Sequence, residues 1–173
     1  MPRARIMITS NFFKTMALYN KWQNESLFKI CDELSDEQLR LNRGMFFDSI
    51  FKTLNHIINI DEAIYFFIHT KSLPEFNPEF TPYSEYSELK AARFEFDEKL
   101  VRESQVFSQT WLDEIFEFWS ERLKRNRKVS RSFYYVQMFN HQTHHRSQIT
   151  SELHKMGIDY GNTDISYNPY YEF

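Results

Sequence analysis

The chain has 173 residues, of which 42% are hydrophobic and 18% aromatic, and it carries a formal net charge of −3. That length suits a single domain over residues 1–173 that can bury a core without staples, and the charge gives no general case for nucleic acid or an anionic membrane as a partner. Three glycines and five prolines are too few for the many tight turns of an all-β fold, so a largely helical chain is the default.

Met1-Pro2-Arg3-Ala4-Arg5 is basic, but Ile6-Met7-Ile8 is too short for the apolar region of a signal peptide. No stretch approaches the ~18 uninterrupted apolar residues that read as a membrane span. A first helix is predicted from Asn11 to Leu34, with Phe12, Met16, Tyr19, Leu27, Ile30 and Leu34 on one buried face and Gln23 as its polar member. The lone cysteine, Cys31, excludes an intrachain disulfide and a Cys-rich zinc site, fits a reducing compartment, and reads as a small buried hydrophobe. The expected location is cytoplasmic.

Ser35-Asp36-Glu37-Gln38 reads as a capping box opening a short turn, and Arg40 to Gly44 as a loop. The second helix, from about Met45 to His69, is the most apolar, with Phe47, Ile50, Leu54, Ile57, Ile64 and Ile68 in a heptad-like stripe. Asp61 falls within that stripe and His56 lies one residue off it, so both face or border the interior. A carboxylate there needs a partner. Asp61 is therefore a candidate for holding His56 or for receiving a proton.

Pro74, Pro78 and Pro82 mark a loop over residues 72–82. Thr81 as N-cap and Pro82 at the first helical position would start a third, more charged helix running to about Val106. Residues 107–133 fit either helix or hairpin by periodicity. The basic run Arg122, Lys124, Arg125, Arg127, Lys128, Arg131 reads as a solvated turn, since no nucleic-acid motif accompanies it. His69 and His154 read as surface or helix-end residues.

The last long helix, about Tyr134 to Met156, ends at Gly157 in the manner of a C′ glycine, and an aromatic tail follows. It carries His141, His144 and His145. At about 100° per residue, His141 and His145 lie roughly 40° apart on one face, while His144 projects away. Two imidazoles at that spacing can share a metal ion, as in HExxH. A third ligand must come from elsewhere, and His56 is the candidate. Three neutral imidazoles would leave a coordination position open, the pattern of a catalytic metal site. Imidazoles alone do not name the metal. Gln148 and Glu152, on the same helical face, are candidates to orient the ligands.

The stretch from Phe139 through Asn140, His141, Gln142, Thr143, His144, His145 and Arg146 to Gln148 closely resembles the signature of the DinB family of damage-inducible proteins. The resemblance extends to Ala17-Leu18-Tyr19-Asn20-Lys21-Trp22, Leu54-Asn55-His56-Ile57-Ile58-Asn59-Ile60-Asp61, Gly157-Ile158-Asp159 and Thr163-Asp164, in the right order along nearly the whole chain. It implies an up-down-down-up four-helix bundle with a short β-hairpin over residues 113–132. It also implies nickel or zinc held by His56, His141 and His145, and a homodimer. Relatives include thiol-dependent transferases and isomerases, so the implied activity is that of a metal-dependent transferase or hydrolase working with a small thiol. The alternative is a non-catalytic metal-binding protein serving as a stress-response or interaction module. The family name records induction by damage, not contact with DNA. One departure is Ser147, where the signature usually has glycine.

Overall fold

A computed structural model describes residues 8–75 and 77–171. The basic N-terminal stretch and Phe173 lie outside the described residues. The described chain is mostly helical, with a small two-stranded antiparallel sheet.

α1 spans Ser10–Cys31. Its buried face is centred on Phe13, Ala17, Asn20, Asn24, Leu27 and Cys31, a heptad rotated from the expected stripe. Phe12 is exposed and Phe28 buried. Two asparagines on the buried face disguised it, because polar residues at heptad positions lower the apolar contrast that periodicity reads. The capping box forms: Ser35 Oγ accepts from Gln38 N and Gln38 Oε1 from Ser35 N, opening α2, Asp36–Arg40.

α3 spans Ile50–Thr70 rather than starting at Met45. Gly44 and Asp48 take positive φ, and Asp48 N–H bonds Met45 O, so residues 44–48 form a turn. Ser49 then caps the helix, its Oγ accepting from Lys52 N at 3.2 Å. The Ile50, Leu54, Ile57, Asp61, Ile68 stripe faces inward.

α4 spans Tyr86–Ser104, and Thr81-Pro82 do not start it. Residues 81–83 run alongside α3 instead, where Tyr83 N–H donates to Asn55 Oδ1 at 3.0 Å. That tertiary bond outweighs the local start signal. One face of α4, carrying Leu89, Arg93, Phe96, Asp97 and Leu100, is buried.

A short α5, Gln109–Leu112, precedes β1, Ile115–Ser120, and β2, Arg125–Ser130, paired from Ile115↔Ser130 to Ser120↔Arg125. Phe116 and Val129 oppose each other on the buried face, and Phe118 packs edge-on against Phe67 of α3. The expected hairpin is present. α6, Arg131–Lys155, follows directly, with Ser130 Oγ accepting from Phe133 N. Gly157 N–H bonds His154 O and Ile158 N–H bonds Leu153 O around Gly157 at φ +76°, a Schellman ending.

Arg131 corrects the reading of the basic run as wholly solvated. It is buried and donates to the Ile68 and Trp111 carbonyls and to Glu114. It clamps the hairpin's exit to the end of α3. The rest of that run is exposed or half-buried.

α1 packs chiefly on α4 and α3 chiefly on α6, with α1–α6 and α3–α4 contacts joining the pairs. Their apolar faces share one core with Leu39, Leu112 and Phe116. No helix among the described residues is long and apolar enough to cross a membrane.

Candidate metal centre

The i, i+4 spacing sets His141 and His145 one turn apart on α6, with ring centroids 4.4 Å apart. α6 lies against α3, which brings in His56, 5.0 Å from the His141 ring and 4.6 Å from the His145 ring. One ring nitrogen from each of the three lies within 4.8 Å of the others. His144 is exposed and is not among the three converging histidines, although its ring stands 4.7 Å from that of His145.

Outer partners fix which nitrogens face inward. His56 Nδ1 sits 2.9 Å from Pro78 O. A carbonyl only accepts, so in the neutral ring Nδ1 carries the proton and Nε2 presents a lone pair. His145 Nδ1 stands likewise 2.9 Å from Gln148 Oε1, while the Gln148 amide nitrogen faces His144 Nε2. His145 Nε2 is thus also left unprotonated.

His141 shows why these nitrogens suit a cation. Its Nε2 lies 3.2 Å from His56 Nε2, and its buried Nδ1 has no partner. With the proton on Nε2, Nδ1 is a stranded acceptor. With the proton on Nδ1, two lone pairs face each other. Neither tautomer satisfies both rings, and a metal ion among the nitrogens removes the conflict between lone pairs. Ligand nitrogens about 2.0–2.1 Å from a tetrahedral ion stand roughly 3.3 Å apart, close to the observed pair. The donors present fit a divalent metal.

Burial also keeps the rings in the metal-binding form. It lowers His56 below the ordinary imidazole range, against the opposing pull of the Pro78 hydrogen bond. It lowers His141 to about 3, helped by the neighbouring histidines. It lowers His145 to about 4, with the Gln148 bond opposing.

The space beside the histidines is a cavity of about 410 Å³ lined by Phe46, Phe47, Pro78, Glu79 and Gln148 with His56, His144 and His145. Phe47 stacks on His56 at 3.8 Å between centroids, and Phe46, 80% exposed, stands at the rim. Phe47 therefore serves the site rather than the interior of α3. The Pro78 carbonyl is held in place because Asn59 donates to Asn77 O and Phe80 O, on either side of it. Asn55 and Asn59, polar residues flanking His56 in an otherwise apolar helix, were the sequence signal for that loop contact.

Asp61 does not hold His56. It is fully buried and paired with Arg93 Nη1 at 2.5 Å, and Arg93 Nη2 bonds Asp97 at 2.8 Å. Burial raises the Asp61 carboxyl to about 7 while the Arg93 guanidinium pulls it down. The chain of bonds continues from Asp97 to Asn24 and from Asn24 to Gln142 and Arg146. Side chains from all four long helices thus form one buried polar layer, and Gln142 and Arg146 adjoin the histidines in sequence. Arg93, Asp97 and Asn24 are members that the apolar spacing does not reveal, although each is a buried polar residue at a heptad position. Glu152 pairs with Lys155 and not with any of the three histidines. Cys31 is buried, as expected of a small hydrophobe.

The DinB family profile matches residues 7–172, nearly the whole chain. No curated protein matches it.

Proposed function

We propose, from the premise that this chain belongs to the DinB family, that it is a metal-dependent transferase or hydrolase with one nickel or zinc ion on His56, His141 and His145. The observation that carries this reading is the convergence of three ring nitrogens, two with their outward nitrogens already bonded. Metal-binding histidines take such outer partners because these fix ring orientation and tautomer. A bound divalent ion supplies Lewis acidity and favours the deprotonated form of a small thiol or water.

The chain's own residues account for the rest. Phe46 and Phe47 give the cavity an apolar wall that receives the organic part of a thiol-bearing substrate and excludes water around it. Glu79, the acidic side chain in that lining, takes up the proton released by the thiol or water. Pro78, one residue away, holds His56, so a single loop supplies both contacts.

The same reading covers the whole chain. It is one domain, an up-down-down-up four-helix bundle, supported by the ring of contacts α1–α4–α3–α6–α1. It works in the cytoplasm as a homodimer. The test is turnover by metal-loaded protein across thiol-transfer and hydrolytic substrates. Activity should appear with metal, disappear in His145→Ala, and fall in Glu79→Gln with metal content unchanged. Metal-loaded protein inactive on every substrate of both classes would leave the alternative of a non-catalytic binder.

A further inference from the structure

Away from the histidines, a cavity of about 510 Å³ opens between α1, another face of α6 and the segment that follows Gly157. It shares no lining residue with the cavity at the histidines. Its third wall is fixed, because Tyr19 Oη donates to Thr163 O at 2.8 Å and Gln23 Nε2 to Asn162 O at 3.1 Å. The space is therefore preformed and of the size that takes a small organic molecule.

Its chemistry is one-sided. No Asp or Glu lines it, whereas Arg146 and His154 do. Arg146 is only 5% exposed, yet its side-chain hydrogen bonds all go to neutral groups, Asn24 Oδ1, Gln142 Oε1 and Thr143 Oγ1. Among the described residues no carboxylate lies within ion-pair distance of it. Asp97 and Asp61 act on its charge only from beyond ion-pair distance, with Asn24 bridging to Asp97, and the Tyr19 ring faces the guanidinium at 5.7 Å. A buried guanidinium without a direct counter-ion is costly, and an anion in the adjoining space would offset that cost.

The remaining wall is hydroxylated. The side-chain hydroxyls of Ser26 and Ser151 have no hydrogen-bond partner among the described residues, so both can donate and accept. Ser147 and Thr150 donate to the helix carbonyls of His144 and Ser147, at 2.7 and 3.1 Å, which leaves their oxygen lone pairs to accept. A ligand matching this wall carries hydroxyl groups as well as a negative charge.

We propose that this cavity is a second binding site, taking a small hydroxylated organic anion. The carboxylate or phosphate of the ligand lies against Arg146, and its hydroxyls against the serines and Thr150. The site does not depend on the metal reading.

The test is an NMR titration of the full chain with gluconate and with glycerol 3-phosphate, using neutral glucitol as control. Saturable shifts are expected at the amides of Ser147, Thr150 and Thr163 with at least one of the two anions, and at least tenfold weaker binding of glucitol. Thr150→Leu, which narrows the cavity and leaves Arg146 in place, should weaken the anion at least tenfold without changing metal content. Arg146→Gln should erase the preference over glucitol. If Arg146→Gln does not fold, Thr150→Leu and the glucitol comparison decide. The proposal is overturned if neither anion binds, if glucitol binds equally, if Thr150→Leu binds unchanged, or if the shifts fall only around His56 and His145.

Discussion

Gln148 and the Pro78 carbonyl act on the site from outside, each bonded to the Nδ1 of a histidine whose Nε2 faces inward. Replacing Gln148 by Leu keeps the side chain's bulk and removes the acceptor, so the His145 tautomer is no longer fixed. Metal affinity should fall about 10–100-fold, measured by competition with a chromogenic chelator. Unchanged affinity would show that Gln148 plays no part in orienting the ligand. Cys31 makes a second residue-scale case. Burial, with the neighbouring Asp32 adding to it, pushes its thiol up to about 12. At pH 8 only about one molecule in ten thousand would carry the reactive thiolate, so a disulfide reagent should label Cys31 in denaturant and leave the native protein unmodified. Rapid native labelling would contradict its burial.

Helices were legible from spacing, and their ends were less so. Asn11 to Leu34 and Tyr134 to Met156 fell within about a turn of α1 and α6, because long apolar periods constrain the middle of a helix far more than its termini. The start of α3 turned on Ser49, a cap that the apolar Met45-Phe46-Phe47 run concealed. Ser49→Ala should destabilise the protein by about 1 kcal/mol in urea unfolding, since it removes the acceptor for Lys52 N; no change would mean that the cap is dispensable. Thr81-Pro82 carried a sound local signal that Asn55 overrode through a contact 28 residues away in the chain, and no local rule can see such a contact. The hairpin was undecidable from periodicity because Phe116 and Phe118 suit a strand's inner face while Trp111, Ile115 and Phe118 suit a helix. Resemblance decided it correctly.

Across the whole molecule, the polar layer from Asp61 through Arg93, Asp97 and Asn24 to Gln142 and Arg146 joins all four long helices. In the sequence Asp61 alone stands out, as a carboxylate in an apolar stripe near His56, and its partner Arg93 on α4 does not, since charge pairing across a core depends on packing that spacing does not encode. The three histidines were legible because two share one helix face and the third stands out in an apolar helix. The Phe47 contact is not legible, because ring stacking leaves no pattern in sequence, and the loop that carries Pro78 is signalled only indirectly, by Asn55 and Asn59 beside His56. Arg93→Met would strand two buried carboxylates and should cost about 3–5 kcal/mol in urea unfolding, whereas a loss near zero would mean that the layer is not held by charge.

A metal at the histidines would add stability that grows with the logarithm of free metal once the site is filled, yet its presence is the more direct question. The decisive measurement is elemental analysis of protein purified without a histidine tag or added metal, beside a His141→Ala/His145→Ala variant. About one nickel or zinc per chain, absent from the folded variant, is the predicted result. Protein that contains no metal and takes up none on titration with either ion would contradict it.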